Sequence, residues 1–80
     1  MLPTILRLSG VKSASGLSRS TIYLYIQQGL WIKPVRLGAR SVGWPDYEVS
    51  ALLSARISGK SDDEIRELVK VLDAKRKDLD

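Results

Sequence analysis

No cysteine and no histidine occur among the 80 residues. Without cysteine there is no disulfide and no thiolate to hold a metal. Without histidine the chain lacks the commonest general base, metal ligand and pH switch near neutrality. Serines are plentiful, yet nothing here activates one as a nucleophile in the usual way. An enzyme is therefore not expected, nor a metal, a cofactor or a small-molecule ligand. Long apolar runs are missing too: no stretch approaches the roughly 18 consecutive apolar residues of a membrane span. The N-terminal "MLPTILRLSG" lacks the basic start of a secretory signal. The expectation is a cytoplasmic protein with no membrane partner.

Acids are scarce in one part of the chain. None precedes Asp46. Residues 1–60 hold eight Lys or Arg against two acids, Asp46 and Glu48, a balance of +6. Residues 61–80 hold five bases and seven acids, a balance of −2, and the whole carries +4. A basic body with a near-neutral tail points to a polyanion partner. Mild basicity also serves solubility alone, so charge by itself does not decide the matter.

A chain this short makes one small domain with a limited core. "PTILRL" reads as an extended lead-in. "SGVKSASG" reads as a weak helix capped by Ser9, facing inwards through Val11 and Ala14 and stopped by Gly16. The next helix is better specified. Ser18 is a good N-cap, Gly29 suits the left-handed C′ position, and Leu17, Ile22, Tyr25 and Ile26 share the inward face. "KPVRLGARSVGW" then changes to a period of two. A four-residue "GARS" loop would set Leu37 opposite Val42 and Val35 opposite Trp44, placing four apolar groups on one face of a hairpin. Pro45 fits the first position of a third helix, with Asp46 and Glu48 at the positive end of its dipole. Val49, Leu52, Leu53 and Arg56 or Ile57 form its inner stripe, and Gly59 ends it. Ser61 and Glu64 make the capping box of a fourth helix. Its stripe is Ile65, Leu68, Val69 and Leu72.

Two helices joined by a tight turn, then a hairpin and a helix, describe a winged helix-turn-helix. The fold class is mainly α with a small β-hairpin. Residues 1–59 would form the DNA-binding unit, and residues 60–80 an amphipathic C-terminal helix. The outward arc of the second helix holds Ser20, Tyr23, Leu24 and Gln27, with Arg19 and Thr21 at its margins. It carries hydroxyls and an amide but no acid, as a helix approaching phosphates requires. Gln27 can pair with an adenine edge and Leu24 can sit on a thymine methyl. A solvated Gln and a stray surface Leu are the plainer alternatives. Ser18, Arg19, Ser20, Thr21 and Tyr23 are candidate phosphate contacts, although local capping also accounts for Thr21. On the hairpin, Lys33, Arg36 and Arg40, with Ser41 beside the tip, form the second candidate contact with double-stranded DNA. Edge-strand protection is the alternative reading of those charges.

"GLSRSTIY", "KPVRLGARSVGW" and "PDYEVSALLSARI" resemble the AlpA family of small phage-derived regulators. That family is similar to the DNA-reading domain of MerR-type proteins and to phage excisionases. The resemblance runs from about Ile5 to Ile57. It implies a winged-helix fold, sequence-specific DNA binding and a role in prophage transcription or excision. It places Ser18, Arg19, Ser20, Thr21 and Tyr23 at the start of the recognition helix and Arg40 in the wing. Leu24 departs from the family's usual basic or polar residue, and Tyr25 from its usual aliphatic one. The tail stripe of Ile65, Leu68, Val69 and Leu72 could close the chain's own core. It could equally pair two copies into a homodimer, as a palindromic site would need, or support cooperative assembly on DNA. Two alternatives stand beside a transcriptional regulator: an excisionase-like recombination directionality factor, and a protein-interaction module acting through the apolar tail.

Overall fold

A computed structural model describes residues 4–78. Pro3 of the expected lead-in and residues 79–80 of the expected tail lie outside them. In chain order the elements are β1 (Ile5–Leu6), α1 (Leu8–Ser15), α2 (Arg19–Gln27), β2 (Val35–Arg36), β3 (Val42–Pro45), α3 (Asp46–Ile57) and α4 (Asp62–Lys75). A short 3₁₀ turn, Arg76–Asp78, continues α4. The fold is mainly helical with a small antiparallel sheet and a C-terminal helix. Among the described residues no helix is long and apolar enough to cross a membrane.

Local signals set most helix ends. Gly16 (φ 73°), Gly29 (φ 76°) and Gly59 (φ 83°) adopt the left-handed conformation after α1, α2 and α3, which glycine takes without a Cβ clash. Ser18 accepts a hydrogen bond from the Thr21 N–H, and both arms of the Ser61–Glu64 capping box are formed. Ser9 does not cap α1. The helix starts at Leu8 behind an extended Arg7, and no side chain caps it. That start, set where the chain leaves β1, turns Leu8, Val11 and Ser15 inwards and leaves Ala14 exposed. Pro45 is likewise not the first residue of α3. It ends β3 with ψ 135°, paired with Ile5, and the helix begins at Asp46.

The lead-in is a strand, and it changes the hairpin. The sheet order is β1-β3-β2, so β3 is central. Val35 faces Gly43 and Arg36 faces Val42, one residue away from the expected register. The Leu37 N–H donates to the Ser41 carbonyl at 2.8 Å, leaving a loop of residues 38–40. Gly43 supplies the physical reason. A Cβ there would run into the Ile5 side chain, come within 2.9 Å of the Leu6 carbonyl oxygen and press on Leu37. Only a residue without a side chain fits between Leu37 and the Ile5–Leu6 strand, so the strand crossing β3 selects the register. Leu37 consequently lies half-exposed instead of paired with Val42.

One core joins the elements. Val11, Ile22, Leu30, Trp31, Ile32, Trp44, Val49, Leu52, Ala55, Ile65 and Leu72 are buried together. Leu68 and Val69 are partly buried against this core, so the α4 stripe packs on its own chain. Burying Ile65 and Leu72 contributes about 1.5–3 kcal/mol each. The inner face of α3 is completed by Ala55 and Glu48, not by Arg56 or Ile57. Ile57 is 87% exposed, whereas Glu48 is fully buried.

Glu48 is tied to the far end of the chain. Arg76 donates to its two carboxylate oxygens at 2.6 and 2.8 Å. The same guanidinium donates to the Lys33 carbonyl at 2.8 Å. An acid that reads as a helix-dipole residue is therefore half of a buried ion pair.

Candidate nucleic-acid interface

The first turn of α2 gathers the expected hydroxyls. Ser18 stands extended just before the helix, and its Oγ accepts from the Thr21 N–H at 3.2 Å. The same hydroxyl bonds Thr21 Oγ1 at 2.9 Å. Ser20 Oγ lies 3.2 Å from Ser18 Oγ. Either hydroxyl can be the donor in that pair. Ser18 and Ser20 are exposed and Thr21 is half-buried, so the turn presents hydroxyls at its surface. The backbone amides of Arg19 and Ser20 add to it, because the first turn of a helix leaves its N–H groups without intrahelical carbonyls.

Arg19 places its guanidinium 5.7 Å from the centre of the Tyr23 ring, an attraction between cation and aromatic face that holds the charge over this turn. Ser18, Arg19, Ser20 and Tyr23 line an open hollow at the helix start. Further along α2, Leu24 is 49% exposed and Gln27 is exposed. Nothing among the described residues bonds the Gln27 amide.

The hairpin gathers the second group. Gly38, Ala39 and Arg40 form its exposed tip. Arg36 is exposed and reaches the Ala39 carbonyl only at 3.5 Å. Ser41 is half-buried, and Lys33 is exposed ahead of β2. No hydrogen bond or ion pair among the described residues links the hairpin group to the α2 group.

The charges are sorted along the chain. Six ion pairs join described residues: Arg56–Asp62, Lys60–Glu64, Arg66–Asp63, Lys70–Glu67, Arg76–Glu48 and Arg76–Asp73. All lie at or beyond Glu48. Ahead of Glu48, Arg7, Lys12, Arg19, Lys33, Arg36 and Arg40 have no carboxylate partner among the described residues; beyond it, Lys75 and Lys77 also have none. Surface pairs add little stability, but they neutralise one part of the molecule and leave the field of the other uncompensated. Arg7 and Lys12 were not among the residues expected from the sequence. The signal for them was the same acid-free stretch, read there only for its core positions. In the capping box, hydrogen bonds from the Ser61 backbone N–H and hydroxyl, with Lys60 adding attraction, hold the Glu64 carboxyl below its ordinary range.

Comparison with known proteins places this arrangement. The family model described as Prophage CP4-57 regulatory protein (AlpA) matches residues 4–57. The uncharacterized protein ORF88 of Enterobacteria phage P4 is 44% identical over 55 residues, covering 69% of this chain and 62% of that protein. The aligned part thus spans less than two thirds of that relative's length. No solved structure matches. The segment the family model matches contains α1, α2, the sheet and α3, and stops before α4. Because that segment is most of the chain, the protein belongs to the AlpA family of phage-type regulatory proteins.

Proposed function

We propose that this protein binds double-stranded DNA sequence-specifically as a winged helix-turn-helix, acting in the cytoplasm as a prophage-associated transcriptional regulator. α1 and α2, joined by the residue 16–18 turn that contains Gly16, form the helix-turn-helix. α2 enters the major groove, with Gln27 and Leu24 against base edges. Arg19, Thr21 and the first-turn amides contact phosphate. The β2–β3 hairpin is the wing, carrying Lys33, Arg36 and Arg40 to the neighbouring backbone or minor groove. The observation that carries this reading is the segregation of charge: six cations on a stretch containing no acid, none of them with a carboxylate partner among the described residues, beside a tail in which acids outnumber bases. With the α4 stripe packed into the core, a protein-interaction role through that stripe has less surface to work with.

Two measurements on one preparation test the reading. Selection of bound fragments from host and prophage DNA at physiological salt should recover a short recurring motif. Its place at a promoter or at an attachment site distinguishes a regulator from an excision factor. Titrating salt against affinity should give a log–log slope of roughly −3.5 to −5.5, for four to six cations on phosphates. Recovery of no motif from folded protein, or a slope flatter than about −1, would remove the proposal.

A further inference from the structure

We propose that Arg66 and Arg76 are positioning residues, through which α4 fixes the hairpin relative to α2. The proposal rests on the DNA-binding reading, since its consequence is the presentation of two DNA-contacting groups by one rigid body.

The segment between α2 and β2 has no ladder of its own. Leu30, Trp31 and Ile32 are buried, and a buried segment must find partners for its carbonyls. Side chains bond one carbonyl within it and one on either side. Arg66 Nε donates to the Gln28 carbonyl at 2.9 Å, Trp44 Nε1 to that of Ile32 at 2.8 Å, and Arg76 Nη2 to that of Lys33 at 2.8 Å. The first and last of these donors belong to α4 and the turn that continues it. Arg66 thus holds the last turn of α2. It lies against Gly29, and Asp63 steadies it at 3.0 Å. Its charge also sits where the dipole of α2 favours a cation.

Arg76 holds the approach to β2, and through Glu48 it grips the first turn of α3, which follows β3 directly. Both strands of the hairpin are therefore anchored at one guanidinium. A helix rises about 1.5 Å per residue, so the two arginines mark the ends of a strut of roughly 15 Å. The strut lies outside the segment the family model matches. Arg76 is held by the buried Glu48 carboxylate, and Arg66 donates to the Gln28 carbonyl, so the effect proposed for them on DNA runs through geometry.

Arg76→Lys tests this, because it keeps the charge but not the planar fork that reaches Glu48 and the Lys33 carbonyl together. Residual dipolar couplings of backbone amides would report the orientation of the hairpin relative to α2. Affinity would be read on a short mixed-sequence duplex at low salt. The expected result is a reoriented hairpin and a loss of roughly tenfold, about one phosphate contact under those conditions. In a background carrying Arg36→Ala and Arg40→Ala the same substitution should cost nothing further, because the contacts it misplaces are already gone. An unchanged orientation, or an equal loss in both backgrounds, overturns the inference. If Arg76→Lys does not fold, Arg66→Lys, at a side chain that is 41% exposed, carries the same two readouts. If the parent binds no duplex, the DNA reading falls, and the couplings alone decide whether the strut exists.

Discussion

Removing Arg76 should damage the fold more than neutralising Glu48, although the two form one ion pair. The asymmetry follows from burial. The Glu48 side chain is 0% exposed and that of Arg76 is 14% exposed. Arg76→Met strips both carboxylate oxygens of their donors and leaves a charge in the core with nowhere to turn, a loss of about 3–5 kcal/mol. Glu48→Gln keeps the shape and one acceptor. Arg76 then remains at the edge of the core, with the Lys33 carbonyl and nearby Asp73 still in reach. One charge-assisted bond is lost, about 1.5–3 kcal/mol. A domain of this size has roughly 4–12 kcal/mol in all, so Arg76→Met removes a large fraction. Urea melts followed by circular dichroism would measure both, provided the slope stays constant. The thermal midpoint of Arg76→Met should drop by roughly 12–40 °C. Pairing Glu48→Met with Arg76→Met should recover part of the loss, because a hydrophobic pair carries no desolvation penalty. If Arg76→Met costs less than Glu48→Gln, the burial argument is wrong.

Other consequences follow from the same geometry. Arg40→Ala should weaken binding to every duplex alike and flatten the salt slope by about 0.9. Gln27→Ala should lower affinity only for the selected site, by about 1–3 kcal/mol; equal losses on all duplexes would place Gln27 on the backbone. Gly43→Ala should destabilise by about 1–3 kcal/mol, read as a lower thermal midpoint, because its Cβ meets the Ile5 side chain and the Leu6 backbone oxygen. A neutral result would mean that β1 does not press on β3 there. The Glu64 carboxyl sits below its ordinary range when folded. Its stabilising effect is therefore present above the unfolded value and fades as pH falls through the folded one. Ser61→Ala should shrink that part of the acid dependence of melting.

The parts of this fold readable from sequence are those governed by neighbours. Ser18, Gly16, Gly29, Gly59 and the Ser61–Glu64 box act within a turn of where they stand, and their residue types state the job. The hairpin register failed for the opposite reason. It depends on Gly43 fitting against Ile5 and Leu6, nearly forty positions away, and the alternation of Val35, Leu37, Val42 and Trp44 fitted a different pairing equally well. Glu48 was hidden by a sufficient local explanation, since an acid in the first turn of a helix needs no distant partner. Composition exposed the candidate interface at the level of charge. The absence of acids before Asp46 marks the region, whereas only the positions of the oxygens show the Ser18, Ser20 and Thr21 hydroxyls bonded to one another.

The Glu48–Arg76 pair also sets a timetable for synthesis. Its partners are 28 residues apart, and at roughly 5–20 residues per second the ribosome needs about one to six seconds to cover that distance. Throughout that interval a nascent chain holds Glu48 without its counter-charge, and burying it then is unfavourable. Burial of the charged Glu48 carboxylate at the α3 start is therefore favoured only once Arg76 is available. The segment matched by the family model thus depends, for its one buried carboxylate, on a residue that lies beyond that segment.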